Sequence, residues 1–137
     1  MDIKFPAKER IGSSKSVYDI LKKVLLAEEV LDREKEHFWA IGLTSQNQIK
    51  YIDLVHLGSM NHCPCRPMEI FRRACIMGVV SLIVAHNHPS GNPHPSLEDR
   101  AATKKLKEAG DVLEIKLLDH VIVGDEDYFS FGDEGDM

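Results

Sequence analysis

No apolar run in this chain is long enough to cross a bilayer. The most apolar stretch, Val79 to Ala85, falls far short of the roughly 20 residues a membrane helix needs. The N-terminus lacks the charged and apolar regions of a secretion signal. Cysteine is scarce: Cys63, Cys65 and Cys75 make an odd count, which fits reduced thiols in the cytoplasm rather than a disulfide framework. Positive charge is in deficit, with 17 Lys and Arg against 22 Asp and Glu, a net charge of -5 and a pI near 5.8. That balance argues against a general binder of phosphate backbones, although a local basic patch stays open. There is no internal repeat, low-complexity block or linker, so a solenoid or a disordered chain is excluded.

What remains is an ordinary globular composition, 43% hydrophobic and 28% charged over 137 residues. The length fits one domain with a core of its own over about residues 16–131. Residues 1–12 show no periodicity. Ser14 or Ser16 can cap a helix running to about Leu31, with Val17, Ile20, Leu21, Val24, Leu25 and Leu31 on its apolar stripe. His37–Leu43 and Ile49–Leu57 read as a hairpin of strands across the polar turn 44–48. Pro67 opens a second helix whose inner face carries Ile70, Phe71, Ala74, Cys75 and Met77, and Gly78 stops it. A buried strand spans 79–85, and a third helix runs from Ser96 to Ala109 and ends at Gly110. Val112–Leu118 and His120–Val123 read as two strands, 124–127 as a turn, and Tyr128–Phe131 as a closing segment. The acidic tail 132–137 is expected to fray. Strands and helices mixed around one sheet give an α/β or α+β class.

The segment His86-Asn87-His88-Pro89-Ser90-Gly91-Asn92-Pro93-His94-Pro95-Ser96-Leu97-Glu98-Asp99 carries the chemistry. Residues i and i+2 of an extended chain point the same way, so His86 and His88 share a face where the buried strand ends. A Pro/Gly loop then leads to a helix that opens on Ser96 and Asp99. Ser-x-x-Asp is also a capping box, and that structural role alone accounts for the pair. The two roles are compatible. Two imidazoles and one carboxylate make a three-ligand set with a fourth position open, as catalytic zinc requires.

The string His86-x-His88-Pro89, then Ser96-x-x-Asp99 with seven residues between His88 and Ser96, resembles the JAMM (MPN-plus) metal-hydrolase motif. Its wording is similar to the RadC-like bacterial branch. The likeness extends to Glu36-His37-Phe38, Arg66 to Arg72, Leu118-Asp119-His120 and Tyr128 to Phe131, in the same order, and covers about residues 16–135. The resemblance implies a JAB/MPN-like (cytidine-deaminase-like) domain with a mixed sheet flanked by helices. It implies one zinc ion per chain held by His86, His88 and Asp99. It assigns Glu36 as the general base, with Glu34 as its rival in register, and Ser96 as a hydrogen-bond donor to the oxyanion. The implied reaction is hydrolysis of a peptide or isopeptide amide in a peptide or protein substrate. A non-catalytic accessory module of DNA repair and a metal-dependent nuclease are the alternatives. The sequence leaves the oligomeric state open.

Three positions depart from the family's habit. Arg66-Pro67-Met68-Glu69 stands where His-Pro-Arg-Glu is common, and Thr44 where the first strand commonly ends in aspartate. RadC-like proteins usually carry an N-terminal helix-hairpin-helix region, for which these residues leave no room, so weak or absent nucleic-acid binding is expected. His62-Cys63-Pro64-Cys65 lacks the spacing of a zinc pair and reads as a loop with reduced thiols. His94 is expected to face solvent or gate the site, and His120 to make a structural hydrogen bond beside Asp119. Trp39, Phe38 and Phe71 belong in the core. Lys104, Lys105 and Lys107 form a solvated face, with Arg72 and Arg73 as the only further members of a basic patch.

Overall fold

A computed structural model describes residues 1–6, 8–58 and 66–137. His62, Cys63 and Cys65 lie outside the described residues. The elements are α1 (Ser14–Leu26), α2 (Val30–Arg33), β1 (Glu36–Leu43), β2 (Ile49–Gly58), α3 (Pro67–Met77), β3 (Ser81–Asn87), α4 (Leu97–Leu113), β4 (Lys116–Val123) and β5 (Tyr128–Ser130). The five strands form one sheet in the order β2-β1-β3-β4-β5. β1 runs antiparallel to both β2 and β3, β3 runs parallel to β4, and β5 returns antiparallel to β4. Parallel strands need a crossover, and α4 supplies it.

Both faces of the sheet are covered, which is why β1 and β3 read as continuous apolar runs rather than alternating ones. Alternation still sorts their side chains. Trp39, Ile41, Ile83, Ala85 and Val121 pack with Val17, Leu21 and Leu25 of α1 on one face. Phe38, Ala40, Leu82 and Val84 pack with Phe71 of α3 and Leu106 of α4 on the other. Phe38, Trp39 and Phe71 are core residues, as expected. Among the described residues, no helix is long and apolar enough to cross a membrane.

Several boundaries differ from the sequence reading. α1 is capped by Ser13, whose hydroxyl accepts from the Ser16 amide. The helix ends at Leu26 because the Arg33 guanidinium takes the carbonyls of Leu26 and Glu28, both at 2.9 Å, and starts a separate short turn. Leu31 is exposed as a result. Cys75 is exposed rather than inward. α4 runs past Gly110 to Leu113, and Glu114 in the left-handed region (φ 60°) ends it. Gly110 is instead a packing glycine, since a Cβ there would collide with the Ile115 carbonyl. The two strands expected around Asp119 are the single strand β4. Its ladder to β3 slips by one residue between the Leu82–Leu117 and Ile83–Asp119 pairs, which breaks the alternation without ending the strand. The acidic tail folds back: the Asp136 amide donates to the Phe131 carbonyl at 2.8 Å, and its carboxylate pairs with Arg100 at 2.8 Å. Within residues 1–12, which show no periodicity, Ile3 and Glu9 make backbone hydrogen bonds to Ile52 and Ile49 of β2, and the Ile11 amide donates to the Asn47 carbonyl in the turn before it.

Candidate metal centre

His86 sits one residue before the end of β3, between β1 and β4, paired with Phe38 on one side and Ile122 on the other. It is 2% exposed, and the Phe38 ring stacks parallel to it at 5.9 Å. His88 continues the strand for one more step, its amide donating to the Val123 carbonyl at 3.0 Å. The chain then turns at Gly91, whose φ of 91° needs glycine and whose carbonyl accepts from the Asp125 amide at 3.0 Å. The loop is thus pinned to the β4–β5 turn before it delivers the start of α4.

That start is a full capping box. The Ser96 hydroxyl accepts from the Asp99 amide at 3.0 Å, and the Asp99 carboxylate accepts from the Ser96 amide at 2.9 Å. The same carboxylate faces the histidines. His86 Nε2 lies 3.2 Å from Asp99 Oδ1, His88 Nε2 lies 3.1 Å from Asp99 Oδ2, and the two Nε2 atoms are 3.1 Å apart. With bonds of zinc-ligand length, the edge of a tetrahedral site is about 3.3 Å. The three donors therefore stand at nearly the separations such an ion imposes, and they form a group that could hold a metal ion. His88 Nδ1 meets the Asn92 carbonyl at 2.9 Å. A carbonyl only accepts, so Nδ1 carries the proton and Nε2 turns its lone pair to the centre.

The charges agree with this arrangement. Burial opposes ionisation of Asp99, but the facing His86 and His88 imidazoles hold its carboxyl far below the ordinary range. Burial also works against charge on His88, yet Asp99 and the Asn92 carbonyl raise its pKa. Glu36 opens β1, half-buried, and burial pushes its carboxyl up while His86 and His88 pull the other way. The β1–β3 ladder ends at the Phe38–His86 pair; beyond it the His37 amide donates to the Asn87 side-chain carbonyl at 2.6 Å, and Glu36 stands within electrostatic reach of His86, His88 and Asp99. Glu34 is exposed at the end of α2, outside the sheet.

His94 is exposed, and so are Lys104, Lys105, Lys107 and Arg72. Arg73 is committed elsewhere, to the carboxylates of Asp2 and Asp53 and to the face of the Tyr51 ring at 4.5 Å. His120 makes structural hydrogen bonds, as expected, and more of them than Asp119 alone accounts for. Its backbone amide donates to Asp119 Oδ1 at 2.7 Å, but its fully buried ring turns inward, with Nε2 2.8 Å from His86 Nδ1 and Nδ1 2.6 Å from Thr103 Oγ1. Burial, and the neighbouring His86, hold this imidazole neutral. Thr103 carried no signal in the sequence beyond its place on the inner stripe of α4.

A mixed five-stranded sheet with two histidines at one strand end and an aspartate on the following helix defines a JAB/MPN-like α+β fold. The profile of the RadC-like JAB domain matches residues 11–136, and the chain belongs to that family. Relatives named UPF0758 protein include one from Methanosarcina mazei, 41% identical over 128 residues, covering 93% of this chain and 54% of the relative. Another, from Caldanaerobacter subterraneus, is 45% identical over 111 residues, covering 81% of this chain and 48% of the relative. A third, from Geobacillus kaustophilus, is 45% identical over 101 residues, covering 74% and 45%. The chain spans about half the length of the curated relatives it matches.

Proposed function

We propose that this chain is a zinc-dependent hydrolase of the JAMM type acting on a peptide or isopeptide amide. The observation that carries the reading is the convergence of His86 Nε2, His88 Nε2 and the Asp99 carboxylate within 3.1–3.2 Å of one another, with Glu36 at the start of the neighbouring β1. Two imidazoles and one carboxylate suit zinc and leave a position free. When bound, such an ion lowers the pKa of a coordinated water to about 7 and polarises a carbonyl. Glu36 accepts the proton of the attacking water as its oxygen bonds the amide carbon. It returns that proton to the nitrogen as the C–N bond breaks, leaving an acid and an amine. The Ser96 hydroxyl donates to the oxygen on which negative charge develops.

The test combines metal content with turnover. Purified protein should hold about one zinc per chain, and His88→Ala should lose it. Glu36→Gln should keep zinc and stability while losing roughly 100- to 10,000-fold in the rate of amide hydrolysis. Equal zinc in wild type and His88→Ala would remove the ligand assignment. Full activity in Glu36→Gln, with Glu34→Gln dead, would move the base by two residues.

A further inference from the structure

We propose that Thr103 and His120 are positioning residues of this metal centre, acting through a hydrogen-bond relay of fixed direction that leaves His86 Nε2 with a free lone pair. The inference rests on the metal reading above and concerns atoms that reading does not use.

The direction follows from counting protons. Thr103 Oγ1 lies 2.8 Å from the Asp99 carbonyl and 2.6 Å from His120 Nδ1. The carbonyl can only accept, so the single hydroxyl proton points at Asp99. Toward His120 the Thr103 oxygen is then an acceptor, and His120 Nδ1 must carry the imidazole proton. A neutral ring with its proton on Nδ1 has a bare Nε2. That bare nitrogen lies 2.8 Å from His86 Nδ1, so the proton between the two rings belongs to His86. His86 Nδ1 is thereby occupied, so a neutral His86 has its lone pair on Nε2, the nitrogen that faces His88 and Asp99. If Thr103 gave its proton to His120 instead, every link would reverse. His86 would then carry its proton on Nε2, where it blocks ligation.

The geometry supports a dedicated device over incidental packing. Thr103 and His120 are 2% and 0% exposed, so neither can exchange its partner for water. Phe131 stacks on His120 at 5.0 Å and Phe38 on His86 at 5.9 Å, which fixes the ring planes. The relay also closes on itself: it begins at the Asp99 backbone and ends at His86, whose Nε2 is 3.2 Å from the Asp99 carboxylate. It spans α4, β4 and β3, so one set of protons ties two proposed ligands together. His88 has a separate orienter, the Asn92 carbonyl.

Nitrogen-15 NMR of the imidazoles in metal-free protein, together with zinc affinity by chelator competition, tests this. Wild type should show His120 protonated on Nδ1 alone and His86 protonated at Nδ1. Thr103→Val removes the hydroxyl and should let His120 carry its proton on Nε2, with zinc affinity falling about 10- to 100-fold. Thr103→Ser keeps a hydroxyl and should restore both readouts, which a purely structural role for the threonine methyl would not do. If Thr103→Val does not fold, Thr103→Ala takes its place, and the wild-type spectrum fixes the direction by itself. Wild-type His120 protonated on Nε2 would overturn the relay whatever the metal does. Expected tautomers with unchanged zinc affinity in Thr103→Val would overturn the positioning role. Expected tautomers in a wild type that takes up no zinc would overturn the metal reading, and the positioning role with it, while leaving the hydrogen-bond direction standing.

Discussion

Asp99 serves two structures with one carboxylate. Its Oδ2 accepts from the Ser96 amide and faces His88, so the helix cap and the candidate centre share an atom. Ser96 is bound into the same box, and its removal mixes two effects. Ser96→Ala should cost about 1 kcal/mol of stability through the lost cap. Thermal melting will read that loss, while zinc content stays at wild-type level. A drop in hydrolysis beyond what the melting shift accounts for then belongs to the lost donor. The proposed ligands were legible in the sequence because they lie within one stretch, residues 86–99, where strand periodicity and a capping motif each place them. For the proposed base the sequence offered Glu36 with Glu34 as its rival in register; Glu36 opens β1, whereas Glu34 follows α2 outside the sheet. Thr103 and His120 were not legible. Their pairing depends on the parallel β3–β4 ladder bringing His120 beside His86, whereas in the chain His120 has Asp119 as the obvious partner.

Among the elements, β1 is the most constrained. Gly42 lies opposite Tyr51 of β2, and the Tyr51 ring fills the space a side chain would occupy. The ring is almost fully buried, its hydroxyl lacks a hydrogen-bond partner among the described residues, and Arg73 covers its face. Burial pushes the Tyr51 phenol up to about 12. Gly42→Ala would drive a methyl into that ring, and over-packing of this kind costs about 1–3 kcal/mol. Urea unfolding should show a lower midpoint with an unchanged slope. Burial and alternation made the strands easy to read, and the helix ends hard. Leu26 ends α1 because Arg33 reaches back to its carbonyl, and Gly110 continues α4 because it packs against the Ile115 carbonyl. Neither event is encoded in local propensity.

The molecule as a whole carries a charge of -5, and Arg100, Lys104 and Lys107 of α4 share a groove with Glu108, Asp111 and Asp136. A mixed surface of this kind gives little purchase on a phosphate backbone. Gel-shift titration of this chain with duplex and branched DNA should show only weak complexes that disappear as salt rises. A tight, salt-resistant complex would favour the accessory-module reading instead. The placement of the centre on the sheet has a kinetic consequence. His86 is held on β3 by ladders to β1 and β4, so its backbone moves only when the sheet itself opens. Asp99 stands in the exposed first turn of a helix reached through a surface loop. The centre thus has a slow wall and a fast one, and an ion would come and go on the timescale of the helix start rather than that of the sheet.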